Sequence, residues 1–509
     1  MLAAMALRPP SRDEIRELAL RLGLGLDAAA LGSYHGLVAG LVGGLAALDA
    51  APDDLPAPRY PRSPGRRPPD AENRLGAWAV KARVEGAAAG PLAGRSAVLK
   101  DNVMLAGVPL ANGTSILEGY APPMDATVAT RILDAGGTIL GKAVCEAHCF
   151  SAGSHTSASG PVRNPHRPTH TTGGSSSGCA ALVASGEVDL AIGGDQGGSI
   201  RVPASFCGIV GLKPSHGLVP YTGILPIEPT VDHAGPMTAN VADNALLLEV
   251  IAGPDGLDSR QGEVRVERYR EALGAGIGGL RIGLLREGFA RPESQPEVDA
   301  ALRGAARRFE KLGARVAEVS VPAHRSAGAV GFGAVQSFVH TLLWTDGCPS
   351  GREDLFPTCY LESHRRWRER ASELSAPMKT ILLLSEYLRE QAGWRLPARS
   401  MNAMRGLRAA YDAALERCDA LLMPTTPMVA TPLPEPDAPP EELVARAFGP
   451  VGNTLPFDHT HHPALSFPCA SHDGLPVGAM LVGRRFEEGV LYRLAHAFER
   501  HAEWRTLGP

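Results

Sequence analysis

Gly193-Gly194-Asp195-Gln196-Gly197-Gly198-Ser199-Ile200-Arg201 is the stretch on which the reading of this chain turns. Two adjacent glycines before a serine permit a tight turn whose successive backbone N–H groups converge. A second Gly/Ser-rich segment, Gly173-Gly174-Ser175-Ser176-Ser177-Gly178, precedes it, and Lys100 ends the apolar run Ala97-Val98-Leu99 further back. On either side of these motifs, residues 96–99 read as extended, 126–134 as helical with a stop at Gly136-Gly137, and 138–140 as extended again. The rhythm returns with a strand at 280–285, a helix at 296–312 and a strand at 315–321. Such alternation predicts an α/β protein, a sheet layered with helices.

Residues 12–50 read as a helical segment, and the Pro/Arg-rich stretch 51–70 as a linker. The chain then divides into a helical N-terminal segment and linker (1–75), a core (76–290), a smaller α/β lobe (291–415) and a C-terminal return to the core (416–509). That return carries a strand at 420–423 and a hairpin-like stretch at 477–482. With 509 residues, 44% of them hydrophobic, the chain can bury a large core. A net charge of -4 gives no electrostatic case for nucleic acid or an anionic membrane, so a small, weakly polar ligand fits better. Eight cysteines without zinc-type pairing or the density of a stapled secreted domain predict reduced thiols and a cytoplasmic enzyme. No signal peptide is read at the start of the chain. The apolar run 37–48, at 12 residues, is too short to span a bilayer and predicts a buried or partner-facing helix.

Amide hydrolysis needs an activated nucleophile, a proton path to the leaving amine and donors for the developing oxyanion. Ser199 is the candidate nucleophile, and the backbone N–H groups of Gln196, Gly197 and Gly198, with that of Ser199, are the candidate oxyanion hole. Lys100, at the end of an apolar strand, is the candidate general base. Ser175 is the hydroxyl shuttle between lysine and nucleophile. Asp195 and Arg201 flank the nucleophile and are expected to form an ion pair holding the loop; Asp101 is expected to fix nearby backbone donors, and Ser176 to support the site.

At these residues the chain resembles the amidase signature family. The segment Gly173–Pro214, with Gly-x-Asp-x-Gly-Gly-Ser-Ile-Arg and then Phe-Cys-Gly-x-x-Gly-Leu-Lys-Pro, carries the motif. Lys100 and Ser175 stand 75 residues apart and Ser175 and Ser199 stand 24 apart, as in the family. Segments 160–165, 217–223 and 232–236 are similar to bacterial enantioselective amidases of the Rhodococcus type. The resemblance implies a mixed central sheet covered by helices and a helical N-terminal segment used in homodimer contacts. It also implies a smaller inserted lobe, Ser175 in a cis peptide, and conversion of a small carboxamide to acid and ammonia with no metal or organic cofactor. Cys149, Phe150 and Ser151 fall where the family lines its acyl side. Ser177 and Cys179 stand where many members carry glycine and serine.

Rival readings exist. Gly174–Gly178 also fits a Gly-x-Ser-x-Gly elbow with Ser176 as nucleophile, but the polar, proline-broken 164–172 cannot be the strand that this elbow requires. Asp458-His459-Thr460-His461-His462 resembles a metal cluster, yet Pro456 and Pro463 bracket it, and a loop or a pocket lining is the expectation. Cys207 and Cys179 read as buried small hydrophobes. An esterase, a glutaminase subunit of an amidotransferase and a catalytically silent binding protein remain as functional alternatives.

Overall fold

The computed structural model describes residues 7–348, 353–501 and 503–507. Contacts divide the chain into two compact units at Leu55/Pro56.

In the first unit the expected 12–50 helix is two helices, Arg12–Arg21 and Ala28–Asp49. Gly23 and Gly25, at φ 66° and 59°, break the run. Asp27 then restarts it by accepting the N–H groups of Ala29 and Ala30. The second helix extends the 37–48 apolar run to 22 residues, and by length and composition alone it is long enough to cross a membrane. Leu37, Leu41, Leu45 and Leu48, at helical spacing, are exposed.

The second unit is built on one sheet, with 11 strands among the described residues. These are β1 (Trp78–Glu85), β2 (Ser96–Lys100), β3 (Thr138–Ala143), β4 (Leu190–Asp195), β5 (Val210–Lys213), β6 (His233–Thr238), β7 (Arg281–Leu285), β8 (Arg315–Val319), β9 (Ala420–Pro424), β10 (Ala464–His472) and β11 (Leu475–Val482). Their spatial order is β1-β3-β2-β4-β6-β5-β10-β11-β9-β7-β8. Two parallel groups, β3-β2-β4 and β9-β7-β8, flank antiparallel pairings in the middle. The sheet is therefore mixed, with β8 at one edge and β9 to β11 returning to its centre.

Every residue of β4, β9 and β11 is buried, which explains why these strands read as continuous apolar or glycine runs rather than alternating ones. Leu99 on β2 pairs with Ile192 on β4, so these two parallel strands deliver Lys100 and the Gly193-Gly194 turn together at their C-terminal ends. Ligand sites in open α/β sheets form at such strand ends. Between β8 and β9 the described regular elements are all helices, including Ala376–Ala392 and Arg395–Arg417.

The core also buries histidines in neutral form. Burial pushes His148 down to about 3 and His324, His364 and His459 down to about 4, below the usual imidazole range. As pH falls below about 6.5 the unfolded chain binds protons that the folded one refuses, so stability present above that pH is lost on acidification, at up to roughly 1.4 kcal/mol per pH unit for each ring. Glu499, raised to about 7 mainly by burial, acts in the opposite sense, as do the buried carboxyls of Asp101, Glu146, Asp458 and Glu488, but burial lowers His216, His233, His461 and His462 too, so the rings outnumber the raised carboxyls. The thermal midpoint should fall steadily from pH 6.5 to 4; a flat profile over that window would contradict this burial of neutral rings.

Candidate active site

Lys100 is fully buried, and its Nζ is hydrogen-bonded to Ser175 Oγ at 2.7 Å and to Gly194 O at 3.2 Å. The Gly174–Ser175 peptide is cis. A Cβ on Gly174 would stand 2.1 Å from Gly153 O, so only glycine lets the 151–153 backbone approach this closely. On the other side Ser176 N–H donates to Ser199 O at 3.2 Å, and Ser176 Oγ bonds both Gly194 O and Gly194 N. Ser176 thus ties the two Gly/Ser segments together; fully buried and engaged, it is no elbow nucleophile.

Among the described residues no carboxylate lies at salt-bridge distance from Lys100. Its neighbour Asp101 turns instead to Lys142 Nζ at 3.4 Å and accepts Ala111 N–H at 3.0 Å, the backbone-fixing role expected of it. Burial pushes Asp101 up and Lys142 down. Lys142 was missed in the sequence, although it sits in an apolar strand, Ile139-Leu140-Gly141-Lys142-Ala143, much as Lys100 does.

The nucleophile loop leaves β4 at Asp195 and enters the helix Arg201–Cys207. Asp195 and Arg201 form the expected pair, Nε and Nη2 each 2.9 Å from a carboxylate oxygen, both residues fully buried. Arg201 Nη2 also donates to Asp458 Oδ2 at 2.6 Å and its Nη1 to Thr454 O at 2.8 Å. Burial opposes ionisation of Asp195, but the Arg201 charge outweighs it and holds the carboxyl well below its usual range. Burial and then the Asp195 charge push Asp458 up, so one arginine faces one carboxyl held low and one pushed high.

One expected donor is corrected. The Gly198 N–H points inward and is taken by Asp195 Oδ1 at 2.6 Å, which removes it from the oxyanion hole. Gly198 matters instead through its conformation: φ is 138°, and a Cβ there would lie 2.3 Å from Thr454 Oγ1. The N–H groups of Gln196, Gly197 and Ser199 carry no such bond among the described residues, and the Gln196 side chain is held by Tyr221 Oη at 2.8 Å.

Ser199 opens on an apolar cleft with Gln196, Gly197, Cys149, Phe150 and Ser151, so the three expected acyl-side residues do line it. The rest of the wall comes from distant segments: Ile227, Gly331, Phe332 and Phe338, then Ala447, Phe448, Val451 and Leu455. Phe150 meets Phe338 and Phe448 edge-on, and Phe332 meets Phe448 likewise, with centroids 6.3, 5.8 and 5.5 Å apart. Nothing in the sequence announces that these four rings converge.

The two departures from the family pattern are accommodated. Ser177 Oγ is buried and donates to Val144 O, and Cys179 Sγ is buried against Ile192 O. The 458–462 cluster is not simply a loop: Asp458 and His459 end the short helix Leu455–His459, and Asp458 completes the Arg201 pair. His461 and His462 bond Thr230 O and Asp412. His459 packs behind Gly331 at the cleft wall, outside the lining itself.

The model of the Amidase family matches residues 68–491. The enantioselective amidase of Rhodococcus rhodochrous is 42% identical, the match covering 97% of this chain and 96% of that protein. A glutamyl-tRNA(Gln) amidotransferase subunit of Methanosarcina acetivorans is 36% identical over 82% of this chain and 87% of its own length. Among solved structures, the native peptide amidase of Stenotrophomonas maltophilia superposes with a TM-score of 0.68 at 28% identity, covering 97% of this chain and 98% of that one. This chain belongs to the amidase family, hydrolases that act on amides.

Proposed function

We propose that the chain hydrolyses uncharged carboxamides bearing an aryl or branched alkyl acyl group, releasing the acid and ammonia through an acyl-enzyme on Ser199. The observation that carries this is the 2.7 Å Lys100–Ser175 bond beside a serine that opens on an apolar cleft. Lys100 accepts a proton from Ser175 as Ser175 takes the Ser199 proton; Ser199 Oγ attacks the carbonyl carbon. The Gln196, Gly197 and Ser199 N–H groups receive the oxyanion. The relay then runs in reverse to protonate the departing amine, and water cleaves the ester. Among the described residues the Ser199 hydroxyl has no hydrogen-bond partner; its bond to the relay is made with substrate in place.

Among the described residues the cleft offers no charged side chain, so the ammonium and carboxylate of free glutamine would enter it unpaired. This supports an acyl-amide hydrolase over a glutaminase subunit. With the purified chain alone, ammonia release should give a kcat/KM for an aryl carboxamide at least about 10³-fold above that for glutamine. Comparable rates, or turnover only with a partner subunit, would favour the glutaminase. Phe338→Ala should lower kcat/KM for the aryl amide by roughly 10- to 100-fold, since a pocket wall is lost. Rates on the matched aryl ester, measured in parallel, separate amidase from esterase.

The leucine face of the helix Ala28–Asp49 supports a homodimer, since a second copy would cover it. Light scattering should give twice the chain mass, and Leu37→Lys with Leu41→Lys should give monomers; a wild-type monomer would end this reading. Six buried cysteines held as thiols support a cytoplasmic setting.

A further inference from the structure

The acyl cleft contains a group that the hydrolytic scheme leaves unused. Cys149 lines it together with Ser199, on a one-turn helix where His148 and Cys149 both hold positive φ, 54° and 57°. Two consecutive non-glycine residues in the left-handed region are strained, and such strain concentrates at functional sites. The turn is pinned by His148 N–H to Asn112 O at 2.9 Å and Cys149 N–H to Glu146 O at 2.8 Å. Asn112 Oδ1 accepts from Cys149 Sγ at 3.2 Å and from the second buried thiol, Cys145 Sγ, at 3.8 Å.

We propose that Cys149 is a second nucleophile in the acyl cleft, alkylated by small α,β-unsaturated carboxamides that bind there as substrates, and that the adduct closes the cleft. This rests on the amide-hydrolase reading only for how the ligand is held, with its carboxamide at Ser199 and its alkene in the acyl cleft. The sulfur forms a bond to the β-carbon, the carbon–carbon π bond breaks, and the thiol proton ends on the α-carbon. Nothing leaves and no oxidant is needed. Such an amide is neutral and small, as the cleft requires, and the reaction consumes a thiol that hydrolysis does not.

The electrostatics agree with the geometry. Burial disfavours the thiolate, but the hydrogen bond from Cys145 and the charge of Lys100 outweigh it and draw Cys149 down to about 7, whereas burial pushes Cys207 and Cys469 up.

Acrylamide is the probe, and peptide mapping by mass spectrometry the readout, on wild-type and Ser199→Ala protein. Exposed Cys359 is an internal reference. Cys149 should carry one acrylamide before Cys359 does in both proteins. In Ser199→Ala, where the competitor is not consumed, saturating propionamide should slow labelling of Cys149 at least about fivefold and leave Cys359 unchanged. Cys149 unmodified when Cys359 is fully alkylated would overturn the proposal, as would labelling that propionamide does not slow. Turnover of an aryl amide is assayed separately. Turnover with Cys149 unlabelled rejects the thiol inference alone, and labelled Cys149 without turnover rejects the hydrolase reading alone.

Discussion

Ser199→Ala is expected to lower kcat on an aryl carboxamide by about 10⁴- to 10⁶-fold while leaving the thermal midpoint near that of the wild type. The size follows from removing the atom proposed to form the covalent bond, since members of such a unit are not additive and the loss of one removes most of what the unit contributes. The Ser199 hydroxyl has no hydrogen bond to lose among the described residues, so the fold should not register the change. Lys100→Ala should be comparably severe in turnover, because Lys100 is the proposed base and its Nζ is bonded to the Ser175 hydroxyl. Ser175→Ala should retain a measurable remainder, with a water standing in for the relay. Ammonia release under single-turnover conditions reads all three. Wild-type rates in Ser199→Ala would remove the nucleophile assignment.

Arg201→Met is expected to be the most damaging substitution for stability. The guanidinium is fully buried and makes four hydrogen bonds to Asp195, Asp458 and Thr454. Its removal leaves the Asp195 carboxylate uncompensated, a loss of about 3–5 kcal/mol. Asp195 also holds the Gly198 and Ile200 N–H groups, so the loop that aims the Gln196, Gly197 and Ser199 donors loosens with it. Arg201→Lys should recover little, because an ammonium cannot reproduce the two-pronged contact. Denaturant titration with a parallel activity assay checks both effects. An unfolding free energy within about 1 kcal/mol of wild type would show that the arginine is not what holds the loop.

The local parts of this site were legible in the chain. Glycine content and spacings like those of the amidase signature family singled out Lys100, Ser175 and Ser199, and the short separation of Asp195 from Arg201 announced their pair. Strand-helix alternation predicted the α/β layering, and β2, β3 and β7 begin within a residue of where the pattern put them. What could not be read depends on distant chain segments meeting. Asp458, in a segment that looked like a metal cluster, lies 257 residues from the arginine it pairs with. Phe332, Phe338 and Phe448 belong to helical stretches whose periodicity says only that they are apolar. The direction of a single peptide N–H is harder still. Gly198 belongs to the turn as predicted, but the donor turns toward Asp195, and only the loop's three-dimensional path decides that. Lys142 shows the converse, a buried lysine whose strand context matched that of Lys100 and whose partner, Asp101, had already been singled out.

The chemistry proposed for this site depends on one serine, Ser199, carrying the acyl group. Treating the wild-type protein with a small alkyl fluorophosphonate and mapping the modified peptide tests it directly. A stoichiometric adduct should form on Ser199, amide turnover should fall in proportion to labelling, and Ser199→Ala should carry no adduct. An adduct on Ser175, Ser176 or Ser177, or full amide turnover in protein whose Ser199 is completely labelled, would contradict that assignment.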